Sequence, residues 1–130
     1  MQHWQLLDLL AWAGLLAFGV SGALVAVQKR FDLVGIIVLT GVTAIGGGAI
    51  RDVLVGSLPA GSLRNEPVLW LVFLVALLVW RFSHRLGRLE RLIYYLDTIG
   101  LGLFAALGAE RALTFGLGFW GCVFVGTVSG

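Results

Sequence analysis

A chain of 130 residues that is 59% hydrophobic and only 12% charged has too few charges to clothe a soluble globule, and its mean hydropathy of +0.99 makes lipid the expected solvent. A net charge of +2 does not mark a nucleic-acid binder here, because the cations stand at the ends of apolar runs and form no stripe. Cys122 is alone, which excludes an intrachain disulfide, and His3 and His84 have no second His or Cys at ligand spacing, so no metal site is expected.

The start, Met1-Gln2-His3-Trp4, lacks the basic segment of a cleaved signal peptide, so the first apolar run is expected to stay in the mature protein. Five apolar stretches follow, at 5–27, 33–57, 67–83, 91–111 and 114–130. About 20 helical residues cross about 30 Å of hydrocarbon, and helices are the only open-chain answer because backbone groups in lipid must pair within their own segment. The expected fold is an all-α integral membrane helix bundle. The third stretch is the least comfortable, since its unbroken core from Pro67 to Trp80 rises only about 21 Å; it must borrow flanking residues or thin the bilayer. Ser57 to Ser62 reads as a loop, and Phe82 to Arg91 as the most charged connection. Trp4, Trp70 and Trp80 fall near expected interfaces, and Trp12 and Trp120 deeper.

Within the first stretch, Phe18-Gly19-Val20-Ser21-Gly22 has the outline of a nucleophile elbow without the strand, the turn or a base, so serine catalysis is not expected. Nineteen glycines in so apolar a chain read as helix-packing surfaces. The second stretch carries the most informative run, Thr43-Ala44-Ile45-Gly46-Gly47-Gly48-Ala49-Ile50-Arg51-Asp52. Each glycine inside a helix costs about 1 kcal/mol relative to Ala. Three in a row permit a kink or an unwound turn whose carbonyls face a cavity. Arg51 and Asp52 follow Gly47 and Gly48 at four-residue spacing, so both side chains lean back over bare backbone and favour a buried, paired charge. The bland alternatives are that the glycines only admit a neighbouring helix and that Arg51 only snorkels. Asp97 opens the fourth stretch as a cap or as a functional carboxylate, and Glu110 with Arg111 reads as an exposed turn.

Counted by side, Lys29, Arg30, Arg81, Arg85, Arg88 and Arg91 fall together, and Arg51, Arg64 and Arg111 lie opposite. This six-to-three split puts the larger group in the cytoplasm and the N-terminus outside, in a multi-pass protein of the cell membrane.

The chain also repeats itself. Gly14 to Phe18 and Gly22-Ala23 match Gly100 to Phe104 and Gly108-Ala109 at an offset of 86 residues. The same register pairs Ala26 with Ala112, Gly35 with Gly121, Thr40 with Gly126 and Thr43 with Ser129. Three helices separate the copies, an odd number, so the second enters the membrane from the opposite face. Residues 1–90 are expected to form a complete three-helix repeat and 91–130 part of a second, with inverted topology. The counterpart of Gly46 falls two positions beyond Gly130, which leaves a fragment of a longer protein or a short form as alternatives.

With the Gly-Gly-Gly-x-x-Arg-Asp run at 46–52, the Phe-x-x-Ser-Gly pattern at 18–22 and the repeat, the sequence resembles the prokaryotic TRIC family of trimeric intracellular cation channels and the related membrane proteins labelled glycine transporters. The resemblance implies two inverted three-helix repeats plus a seventh helix, a homotrimer and a pore in each protomer. It makes Gly46, Gly47 and Gly48 the kink of the second helix, and Arg51 and Asp52 polar elements beside the pore. The resulting expectation is a passive pore for monovalent cations, potassium among them. In it, kink carbonyls and hydroxyls such as Thr43 replace part of the ion's hydration, and Asp52 or Asp97 neutralises Arg51. The alternatives are a secondary transporter of a small zwitterion such as glycine, and a structural subunit in which the glycines only pack. No enzyme and no cofactor is expected, since ligands and nucleophiles are lacking.

Overall fold

A computed structural model describes residues 2–59, 61–85 and 89–130, the side chains of Gln2, Trp4, Ser62 and Leu89 excepted. Ala60 of the expected loop, Arg88 of the cytoplasmic count and the Trp4 ring therefore lie outside the described residues. Helix is the only regular structure among those described. The elements are α1 (Gln2–Gln28), α2 (Leu33–Leu54), α3 (Gly61–Arg64), α4 (Glu66–Phe82), a 3-10 turn (Ser83–Arg85), α5 (Leu89–Thr114) and α6 (Phe119–Ser129). Four spans, Gln5–Gln28, Leu33–Leu54, Glu66–Arg85 and Glu90–Thr114, are long and apolar enough to cross a membrane.

Local chemistry sets the ends. Asp32 caps α2, its Oδ1 accepting from the Gly35 N–H at 3.0 Å. Pro67 sits in the first turn of α4, where its missing N–H leaves no helical bond unmade. Gly56 and Gly116, both at φ 79°, turn the chain out of α2 and α5. The short third stretch does borrow its neighbours: with Glu66 and the 3-10 turn, α4 becomes a 20-residue span. Three expectations change. The loop expected over 57–62 is already helical at Gly61, where α3 begins. The fifth stretch is helical over only 11 residues, about 16 Å, because Thr114 closes α5 and the turn through Gly116 and Gly118 takes up the rest. Trp120, expected at depth, therefore stands in the first turn of α6 and is 80% exposed.

Small and branched residues fill the seams. Ala23, Ala26, Ile36 and Ala76 are almost fully buried where α1, α2 and α4 meet, and Leu15, Ala44, Val72 and Phe104 join α5 to them. Large apolar side chains such as Trp70 and Phe124 point outward, as lipid-facing residues do.

The offset of 86 recurs in the hydrogen bonds. Phe31 N–H donates to the Ala26 carbonyl at 3.0 Å, and Leu117 N–H to Ala112 at 3.1 Å. Ile36 N–H donates to Asp32, and Cys122 N–H to Gly118. Thr43 Oγ1 donates to the Leu39 carbonyl at 2.8 Å, and Ser129 Oγ to Val125 at 2.7 Å. Helices α1 and α5 run antiparallel: a Cβ on Gly14 would lie 3.1 Å from the Phe104 ring, and one on Gly100 would lie 2.8 Å from the Phe18 ring. Phe18 and Phe104, repeat mates, stack with centroids 5.2 Å apart and planes at 14°. Exchanging the two helices by the offset returns this pair to itself, so the stack marks an internal two-fold relation between them.

Candidate functional site

Helix α2 stays α-helical through Gly46, Gly47 and Gly48, so the unwinding that the triplet permits is not present. The glycines provide room instead. A Cβ on Gly47 would stand 2.5 Å from the Ser129 carbonyl oxygen, so α6 meets α2 backbone to backbone at this residue. Gly46 has open space at the same position, and Gly48 is buried. Thr43 gives its hydroxyl proton to the Leu39 and Thr40 carbonyls and occupies the groove left by Gly22 of α1. It belongs to the α1–α2 seam.

Arg51 and Asp52 form the buried pair that their spacing favours. Successive residues of a helix point about 100° apart, yet the long Arg51 chain curls back. Its Nε and Nη2 both donate to Asp52 Oδ1 at 3.2 Å. Asp52 Oδ2 accepts from the Gly61 N–H at 2.9 Å, which caps α3. Asp52 is 2% exposed with both oxygens partnered, and the Arg51 side chain is 15% exposed. It is the only ion pair found among the described residues.

The pair lines a cleft of about 630 Å³ at one end of the bundle, between α1, α2, α4 and α5. Asp8, Asn65, Glu110 and Arg111 share its walls, and Leu15, Val68, Phe104 and Leu107 form an apolar floor. Three carboxylates face two guanidinium groups, an excess of one negative charge. The sequence reading missed Asp8, Glu110 and Arg111. Glu110 is half-buried inside α5, because that helix continues to Thr114, and is not part of an exposed turn. The signal was the helical face it shares with Phe104 and Leu107, matched by Asp8 with Ala11 and Leu15.

Asp97 is elsewhere. Ser21 Oγ donates to its Oδ1 at 3.4 Å, at the far side of the Phe18–Phe104 stack and about 20 Å along α5 from Glu110. Arg51 takes Asp52 as its partner, and the alternative pairing with Asp97 is overturned by this separation.

A profile of the family described as "Glycine transporter" matches residues 8–84 and 94–130. A "UPF0126 membrane protein" of Deinococcus radiodurans is 53% identical over 128 residues, which is 98% of this chain and 57% of that protein. The "UPF0126 inner membrane protein YadS" of Escherichia coli K12 is 30% identical over 118 residues, 90% of this chain and 57% of its own. Among solved structures, the TRIC trimeric intracellular cation channel orthologue from Rhodobacter sphaeroides superposes with a TM-score of 0.91 at 38% identity, covering 95% of this chain and 64% of its own. A prokaryotic TRIC channel in 0.5 M KCl gives a TM-score of 0.90 at 32% identity, covering 98% and 68%. The chain thus spans about half the length of the curated relatives it matches.

Proposed function

We propose, from the premise that this chain belongs to the TRIC family, that it passes monovalent cations, potassium among them, passively across the cell membrane. The observation that carries the reading is the Arg51–Asp52 pair. An unpaired Arg at the wall of a water-filled cleft would repel cations, whereas here Asp52 cancels it within the same helix. The remaining charges then leave the cleft one negative in excess. Low-dielectric walls focus that field and raise the local cation concentration at the mouth. The solved TRIC relatives, described as trimeric and as cation channels, support the same reading and a homotrimer embedded in the bilayer. On this reading Gly47 shapes the path by admitting the α6 backbone and Thr43 by filling the α1 groove left by Gly22, while Gly46 and Gly48 keep the neighbouring α2 surface free of side chains. Residues 1–90 are one repeat and 91–130 part of its inverted mate.

A second reading rests on a specific feature. The cleft presents guanidinium and carboxylate groups together, the complement of a small zwitterion such as glycine. Single-channel recording of the protein at its natural length in planar bilayers separates the two. Unitary cation-selective steps are expected; saturable glycine uptake without such steps would replace the channel by a carrier.

A further inference from the structure

Asp97 is a carboxylate deep in a membrane-length helix with no ion-pair partner among the described residues. It lies seven residues inside the span that starts at Glu90, about 10 Å along the helix. The ion pair found among the described residues is Arg51–Asp52, and Asp97 has no part in it. Its hydrogen bond from Ser21 Oγ, at 3.4 Å, is long for a hydroxyl on a carboxylate and leaves most of its acceptor capacity free. Asp97 is exposed, while Ser21 is 4% exposed. An ionised group at this depth is costly unless it faces a water path or a cation.

The two-fold relation between α1 and α5 says which path. Under the offset of 86, Ala11 of the cleft corresponds to Asp97, and Leu107 of the cleft floor corresponds to Ser21. Asp97 and Ser21 therefore occupy, at the other end of the same seam, the positions that line the cleft at its own end. The Phe18–Phe104 stack lies between the two ends. A carboxylate and a hydroxyl replace a methyl and an isobutyl group at the equivalent places, and Tyr94, Thr98, Gln28 and Lys29 stand where the cleft has Asp8, Trp12, Thr114 and Phe115, so Asp97 supplies the carboxylate among these positions.

We infer that Asp97, with Ser21 as its hydrogen-bonding partner, is a cation-binding site at the mouth of the conduction path opposite the cleft. The inference rests on the channel reading above. The ligand class is a hydrated monovalent cation. One carboxylate and one hydroxyl fall well short of the six to eight oxygens that calcium takes, and no group of three or more metal-ligating side chains occurs among the described residues. A site of so few ligands holds an ion weakly, which suits a mouth where ions must enter and leave.

The test is single-channel recording of the protein at its natural length, wild type against Asp97→Asn and Asp97→Glu, with potassium chloride varied on each side in turn. Asp97→Asn is expected to lower the current carried by cations entering from the Asp97 side by roughly twofold or more at low salt, with the loss fading at high salt as charge is screened. The variant's current–voltage relation becomes rectifying, and Asp97→Glu restores it. Wild-type currents with an unchanged Asp97→Asn current, or an equal loss from both sides, would overturn the site while leaving the channel reading intact. The same holds if the variant changes only the oligomeric state. If the wild type gives no unitary currents, the channel reading falls and takes this site with it.

Discussion

Asp52 ties three backbone or side-chain groups to the end of α2: the Arg51 guanidinium, the Gly61 N–H and, through its own carbonyl, the Ser57 N–H at 2.8 Å. Asp52→Asn keeps an oxygen for Gly61 but leaves Arg51 without a counter-charge. Orphaning a fully buried charge costs roughly 3–5 kcal/mol, and the partial exposure of Arg51 reduces that here. The double change Arg51→Gln with Asp52→Asn removes both charges, so it is expected to destabilise less than Asp52→Asn alone. Thermal unfolding in detergent of the four members of this double-mutant cycle checks the coupling; strict additivity would make Arg51 a surface cation. The buried pair was legible in the sequence because an Arg and an Asp at the end of an apolar helix have few ways to be satisfied. The role of the glycines was only half legible. Three consecutive glycines said that a neighbouring helix could be admitted, but not that it is the Ser129 carbonyl, which comes from 82 positions away. A direct comparison follows: Gly47→Ala should cost about 1–3 kcal/mol by overpacking, and Gly46→Ala, with open space at its Cβ, should cost nothing or stabilise.

Helix pairs show where periodic reasoning stops. The four long spans were read to within a few residues, since length and apolarity fix them, but α3 and the 3-10 turn were not. Four residues and three residues are too short to carry a period. The cleft was illegible for a related reason: Asp8 and Glu110 meet only through the antiparallel register of α1 on α5, which no local pattern encodes. That register has its own test. Gly14 and Gly100 each receive the phenyl ring of the other helix, with a built Cβ at 3.1 and 2.8 Å from ring carbons, whereas Gly102 faces open space. Gly14→Ala and Gly100→Ala are therefore both expected to lower the detergent melting temperature, Gly100→Ala the more, while Gly102→Ala leaves it unchanged or higher. Equal effects at all three positions would mean that the α1–α5 seam does not have this geometry.

At the scale of the molecule, the distribution of cations decides which end of the bundle faces the cytoplasm. Arg51, Arg64 and Arg111 lie opposite the group formed by Lys29, Arg30, Arg81, Arg85, Arg88 and Arg91, a six-to-three count. Since α1, α2, α4 and α5 cross in alternation, the turn at His84 shares a side with Lys29, and the connection at Leu58 shares a side with the cleft. With the N-terminus outside, as the six-to-three count predicts, the Arg51–Asp52 cleft is expected at the outer surface and Asp97 toward the cytoplasm. Single cysteines at His84 and at Leu58, both exposed, test this in a Cys122→Ala background that removes the native thiol. In intact cells an impermeant thiol reagent is expected to label Leu58→Cys and to spare His84→Cys until the membrane is permeabilised. The opposite pattern would invert the protein, put the cleft on the cytoplasmic side, and reverse the side from which Asp97→Asn is expected to impair cation entry.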